Sequence, residues 1–303
     1  MIDFRPVTLE IKEKYESLLE TCPERGCEYS FANLYLWGRQ RMAFVEGFAV
    51  LFSQFSRKSV YPFPVGQGDL KKPLDAIIRD AAKRGIPCRL TAMTKEDCEK
   101  LEALYPGAFR FHTDRNSFDY IYNIDDLADL PGRRFQRKRN HVNRFMQMHP
   151  DYCLEPITAE NTAQAEELVR QWYEDRLRED PTQDYRMEQA ALSRALRCRR
   201  ELGMEGLLLK VQGRAVAMTL GSRLSGETMD VHFEKALDRN DGAYGVINRG
   251  FARYLREKHP QLRFLNREDD MGLEGLRKAK SSYCPARMGE KYWACLLEEG
   301  YDY

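Results

Sequence analysis

The run Asn266-Arg267-Glu268-Asp269-Asp270 closes a short β-prone stretch, and a helically patterned segment carrying Arg277, Lys278 and Lys280 follows it, just ahead of Tyr283. Charged groups of both signs at a strand end and the next helix start stand where α/β folds place ligands. Such a set suits transfer of an activated acyl group to an amine, which needs a base for the amine proton and a donor for the oxyanion. Glu268 or Asp269 could be that base, and Lys278 or Lys280 could hold a terminal phosphate or stabilise the oxyanion. Tyr283 could return a proton to the leaving oxygen. For Asp270 and Arg277, salt bridging and helix capping is the simpler reading. His232 and Glu234 alternate with Val231 and Phe233, so they share one strand face and are further base candidates.

Two other stretches could meet an anion. Arg239 to Gly245 contains Gly242 and Tyr244 and opens a helix on which Asn248 and Arg249 lie close to the turn. Backbone amides of such a turn bind phosphate when it feeds a helix N-terminus. The segment Gly132 to Met148 holds six basic residues and no acid: Arg133, Arg134, Arg137, Lys138, Arg139 and Arg144. Read as a helix, it sets Phe135, Val142 and Met146 on one stripe and Arg133, Arg137 and Arg144 opposite. Guanidinium groups on such a ridge suit a polyanion.

Composition sets limits on these readings. There are 48 basic and 47 acidic residues, net +1, so attraction to nucleic acid must be local rather than global. Hydrophobic residues make up 43% of the 303, enough for two well-filled cores. No secretory leader opens the sequence, and no apolar run nears the roughly 20 residues that span a bilayer. The eight cysteines form no C-x-x-C pair. Reduced thiols, a cytoplasmic location and no metal site are therefore expected. G-x-S-x-G and the P-loop pattern are both missing, which argues against nucleophilic hydrolases and P-loop nucleotide enzymes.

The elements that must position these residues read as an α/β (α+β) protein. Helices at 8–19 and 31–37, a hairpin at 42–54, helices at 70–83 and 95–104, and strands near 109–112 and 118–124 make a first half. The break at Leu130-Pro131-Gly132 places the boundaries at 1–131, a basic linker helix at 132–150, and 151–303. The second half runs helix, helix, three strands (206–211, 214–224, 228–235), a helix, a short strand, a helix over 272–281 with Leu273, Leu276 and Ala279 inward, and a closing strand at 292–297.

The order in the second half resembles an N-acetyltransferase-type fold, in which a glycine turn after the fourth strand holds the pyrophosphate of coenzyme A. Tyr244 departs from the small residue expected there. KRNHVNRF (138–145) and LNREDDMGLEGLRKAKSSYCP (265–285) resemble the bacterial family related to the C-terminal catalytic domain of phosphatidylglycerol lysyltransferase. That resemblance extends to SFANLYLW near the start. It implies two tandem N-acetyltransferase-like domains joined by a basic helix, as in Fem-type aminoacyltransferases. It also implies aminoacyl-tRNA as donor, with tRNA on the basic helix and Arg239, Gly242, Tyr244, Gly245, Asn248, Arg249, Asn266 and Arg267 near the donor. The acceptor, a small molecule or peptide, and self-association stay open. An acyl-coenzyme A-dependent N-acetyltransferase, or a non-catalytic protein binding an anionic ligand, are the alternatives.

Overall fold

The computed structural model describes residues 1–297 apart from 23, 56–57 and 238–241. In chain order its elements begin with β1 (Arg5–Pro6), α1 (Lys12–Leu19), α2 (Phe31–Trp37), β2 (Gln40–Val45), β3 (Phe48–Phe55), β4 (Lys58–Pro62), β5 (Val65–Gly66), α3 (Lys71–Arg84), β6 (Arg89–Met93), α4 (Lys95–Leu104) and β7 (Phe109–Thr113). There follow β8 (Asp119–Asn123), α5 (Ile124–Asp129), α6 (Gln136–Met148), β9 (Cys153–Pro156), α7 (Thr162–Glu179) and α8 (Arg186–Arg197). The remainder is β10 (Glu205–Val211), β11 (Arg214–Arg223), β12 (Thr228–Ala236), α9 (Ala243–Lys258), β13 (Phe264–Asn266), α10 (Glu274–Ser281), β14 (Arg287–Gly289) and β15 (Tyr292–Leu296).

The chain divides into two compact units, one of 1–119, 269–272 and 289–303, the other of 120–268 and 273–288. The first unit is built on a sheet of order β1-β2-β3-β4-β6-β15-β7, with β5 beside β3. α3 puts Leu74, Ile77 and Ala81 into its core at helical spacing, beside Val50, Tyr61, Phe63 and Leu90. Gly85, at φ +66°, adopts the left-handed conformation that ends α3.

The second unit's sheet has the order β14-β8-β13-β12-β11-β10-β9. The β10-β11-β12 meander is antiparallel, and β12 then pairs parallel with β13. A one-residue bulge at His232 of β12, opposite the step from Leu220 to Gly221, shifts the register so that Ser222 pairs with Asp230. Only glycine fits at 221, because a Cβ there would lie 2.6 Å from the Asp230 carbonyl oxygen. α9 covers the sheet with Val246, Ile247, Phe251 and Leu255, and α6 packs Val142 and Phe145 into the same core.

Four expectations change here. The boundary falls at 119/120 rather than 131, because β8 hydrogen-bonds to β13 and so joins the second sheet. The basic helix is not a link between halves, since Phe135, Val142 and Phe145 commit it to the second unit's core. The closing strand belongs to the first sheet, where β15 pairs antiparallel with both β6 and β7. Along α10, the stripe of Leu273, Leu276 and Ala279 does not reach a core: no α10 residue is buried and Leu273 is 56% exposed. α5 went unread in the sequence.

In the first unit, Lys291 Nζ lies 2.6 Å from Asp119 Oδ1 and 2.6 Å from Glu28 Oε1. Asp119 also accepts the Cys27 backbone N–H at 2.9 Å. Burial pulls the Lys291 amine down, but Asp119, Cys27 and Glu28 outweigh it and hold the amine well above the usual lysine range. Removing one partner of a buried pair strands the other. Lys291→Met should therefore cost about 3–5 kcal/mol of unfolding free energy, read from the urea midpoint. An unchanged midpoint would show that Asp119 does not need the lysine.

Candidate functional site

β12 carries Asp230, His232 and Glu234, but the shared face expected for His232 and Glu234 is broken by a bulge at His232: Glu234, paired with Thr219, faces α9, whereas Asp230, paired with Ser222, faces the other side of the second sheet. Glu234 is held from two sides. Arg267 Nη2 donates to its Oε1 at 2.8 Å, and Asn248 Nδ2, from α9, donates to Oε2 at 3.3 Å. The Arg267 guanidinium lies 5.1 Å from the Tyr283 ring and 5.7 Å from the Tyr122 ring. Burial opposes its charge, yet Glu234 and the two phenols outweigh that and raise its pKa, so it stays protonated.

Lys138 Nζ, on α6, lies 3.9 Å from the centroid of the Tyr283 ring. Burial, and then the like charge of Arg267, pull this amine down to about 8. Burial pushes the Tyr283 hydroxyl up to about 12, with Arg267 acting the other way. Arg267 Nη1 and Asn248 Oδ1 are buried without a hydrogen-bond partner among the described residues. Buried polar atoms are almost always satisfied, so a spare donor and a spare acceptor in one cluster mark where polar atoms of a ligand would bind.

A second group lies along the same strand. His232 Nε2 is 2.7 Å from Ser222 Oγ, and His232 Nδ1 is 3.5 Å from Asp230 Oδ2 and 3.4 Å from Glu268 Oε1. Glu268 takes a left-handed φ of +56°. Its N–H donates to Asn266 Oδ1 at 2.8 Å, and its carbonyl accepts from the Tyr120 N–H at 3.1 Å.

Of the candidates read from sequence, Glu234, Asn248, Arg267 and Tyr283 come together, with Gly245 beside them: a Cβ on Gly245 would lie 3.8 Å from the Tyr283 hydroxyl. His232, Glu268 and Asn266 form the neighbouring group. Lys280 is a positioning residue, its Nζ donating to the Arg267 carbonyl at 2.5 Å and its own carbonyl accepting from Tyr122 at 2.8 Å. Lys278 is exposed on α10. Asp269 accepts the Met271 N–H at 3.1 Å within a turn of the first unit, and Asp270 lies 3.6 Å from Arg115, as its salt-bridge reading anticipated.

The donor turn reads differently in three dimensions. Arg239 lies outside the described residues. Gly242 begins α9 at φ +94°, and a Cβ there would sit 2.9 Å from the His141 carbonyl oxygen, so close packing against α6 already accounts for the glycine. Tyr244 is 38% exposed. Arg249 donates to the Ala128 carbonyl at 3.1 Å, tying α9 to α5 instead of facing a donor. The basic ridge is thinner than its sequence suggests. Arg134 binds Asp126 at 2.7 Å, Arg139 donates to the Leu130 and Gly132 carbonyls, and Lys138 belongs to the Tyr283 cluster. Arg133, Arg137 and Arg144 remain exposed. Asp230 and Ser222 were missed in the sequence; the alternation Asp230-x-His232-x-Glu234 was the signal for the first. A groove of about 1010 Å³ runs along α7 and the β10-β11 turn, but its Arg170 pairs with Glu167 and Glu174, and it includes none of the cluster.

An antiparallel meander followed by a parallel strand, with a glycine-started helix across it, makes the second unit N-acetyltransferase-like, and the chain as a whole is a tandem protein of that class. The sequence profile described as phosphatidylglycerol lysyltransferase, C-terminal, matches residues 19–295, and the chain belongs to that family. A conserved protein of unknown function from Bacteroides thetaiotaomicron VPI-5482 is similar over 98% of this chain and 100% of its own, at 39% identity and a TM-score of 0.93. The structure of L-PGS from Bacillus licheniformis shares the fold over 100% of this chain and 95% of its own, at 16% identity and a TM-score of 0.69. An uncharacterized protein of Mycoplasmoides gallisepticum is 27% identical over 58% of this chain, so the match spans little more than half, 56%, of that relative.

The depressed Lys138 amine has a consequence for stability. Between about 8 and the ordinary lysine value of 10.5 the unfolded chain holds a proton there that the folded chain has released. Stability should rise with pH across that window and gain nothing from this group below it. Denaturant unfolding at several pH values should show the rise in the wild type and its loss in Lys138→Met; identical slopes would mean that Lys138 titrates like a surface lysine.

Proposed function

We propose that the protein is an aminoacyl-tRNA-dependent acyltransferase, moving an amino acid from its ester with the tRNA ribose to an amine or hydroxyl acceptor. Membership of the phosphatidylglycerol lysyltransferase C-terminal family supports the class of reaction. The observation that carries the reading is the partly buried Lys138–Tyr283–Arg267–Glu234 cluster with its spare guanidinium donor.

In this reading the acceptor attacks the ester carbonyl, and the oxyanion forms against Arg267 Nη1, whose orientation is fixed by Glu234. A prepositioned donor of this kind is worth about 10²–10³ in rate. Lys138, with a pKa of about 8, is part neutral near physiological pH and takes the proton that the acceptor loses. Tyr283 gives a proton to the departing ribose oxygen and is restored by the proton that Lys138 took up, so the net change is one C–O bond broken, one C–N or C–O bond formed, and one proton passed from acceptor to ribose. Arg133, Arg137 and Arg144 are exposed on α6 and its approach, and tRNA phosphates would meet this ridge. Coenzyme A as donor has less behind it, because packing against α6 already explains Gly242.

The test is transfer of a labelled amino acid from charged tRNA to amine and hydroxyl acceptors. Arg267→Met and Lys138→Met should each lower kcat by about 10²-fold or more with folding intact; variants as fast as wild type would sink the assignment. For tRNA, replacing Arg133, Arg137 and Arg144 together with Gln should flatten the log–log salt dependence of affinity by about 2–3. A slope that does not move would take the polyanion role away from this helix.

A further inference from the structure

The transfer chemistry leaves the Asp230, His232 and Glu268 group unused. We propose that Asp230 Oδ2, His232 Nδ1 and Glu268 Oε1 bind one divalent transition-metal ion, Zn²⁺ or Mn²⁺. The three ligand atoms lie within 4.8 Å of one another. Nδ1 is 3.5 Å and 3.4 Å from the two carboxylate oxygens, too long for hydrogen bonds. Two ligands at about 2.1 Å from a tetrahedral ion stand about 3.4 Å apart, so the spacing fits a shared ion.

His232 carries the argument independently of the acids. Its imidazole is 1% exposed, and among the described residues Nδ1 has no hydrogen-bond partner, though it lies between two carboxylates. A buried ring nitrogen is rarely left unsatisfied. The opposite nitrogen is engaged by Ser222 Oγ, 2.7 Å from Nε2, and with the ion bound Ser222 would take the Nε2 N–H and leave the Nδ1 lone pair for the ion. Metal-bound histidines are held in this way, their second nitrogen donating to a fixed acceptor. Asp230 is fully buried on β12, and an ion of charge +2 would balance the two carboxylates there.

The donor set decides which ion. One imidazole with two carboxylates suits Zn²⁺, Mn²⁺ and their neighbours, whereas Mg²⁺ and Ca²⁺ prefer oxygen alone. Three protein ligands leave a fourth position for water or a substrate oxygen. The Glu268 side chain is 29% exposed, which provides the entry path. The ion would sit on the face of the second sheet opposite to that of Glu234. The proposal stands without the transferase reading, because metal binding is read without any acyl transfer.

Chelator-treated protein is titrated calorimetrically with ZnCl₂ and with MnCl₂, each in excess Mg²⁺. One equivalent of either ion should bind, Ser222→Ala should weaken it about 10–100-fold, and His232→Asn should abolish it. Lys278→Ala, at an exposed position, should bind like wild type. Circular dichroism checks that the variants fold; should His232→Asn fail, the wild-type titration and Ser222→Ala still decide. No saturable binding by the wild type, or equal binding by His232→Asn and Ser222→Ala, would overturn the proposal.

Discussion

An arginine enclosed by protein governs the chemistry of the second unit. A guanidinium taken out of water needs an anion held against it. Arg267 meets that condition with Glu234 on one side, two phenol rings nearby, and its backbone carbonyl pinned by Lys280. Asn248 completes the Glu234 side. Once this charge is fixed, its neighbours follow: Lys138 gives up its proton more readily because a second cation stands close by in a poorly solvated place. The amine is tuned by a residue far from it in the chain.

β12 is the other organising element. Glu234 and Val231 face α9, and the bulge at His232 turns Asp230 to the opposite face, where Ser222 stands opposite it and within reach of the His232 ring. One strand thus serves two neighbouring groups, one set by Arg267 and the other by an imidazole between carboxylates.

Much of this was legible in the sequence because it is local. The meander strands, α9 and the helical character of the basic stretch follow from patterns within a dozen residues. Glu234, Arg267 and Tyr283 were identified as chemical groups from residue type and from their places at element ends. What was not legible depends on distant partners. Lys138 looks like the arginines around it, and only the approach of Tyr283 and Arg267 separates it from them. The apolar pattern that marks residues 292–296 as a strand says nothing about which sheet receives it. Arg134, Arg139 and Arg249 read as available cations because their partners depend on the path of the backbone and not on spacing: Asp126 and the Leu130 and Gly132 carbonyls are nearby in sequence but across the turn before α6, and the Ala128 carbonyl is far from Arg249 in the chain.

The position of β15 also constrains the order of assembly. It lies between β6 and β7, so nearly two hundred residues separate the two edges of that gap from the segment that fills it. On the ribosome, β6 and β7 emerge long before their common partner and must wait with unpaired edges, a condition that invites misassociation. The second unit lies almost wholly within that interval. It can therefore fold while the first sheet is still open, and the last-made strand then acts as a latch.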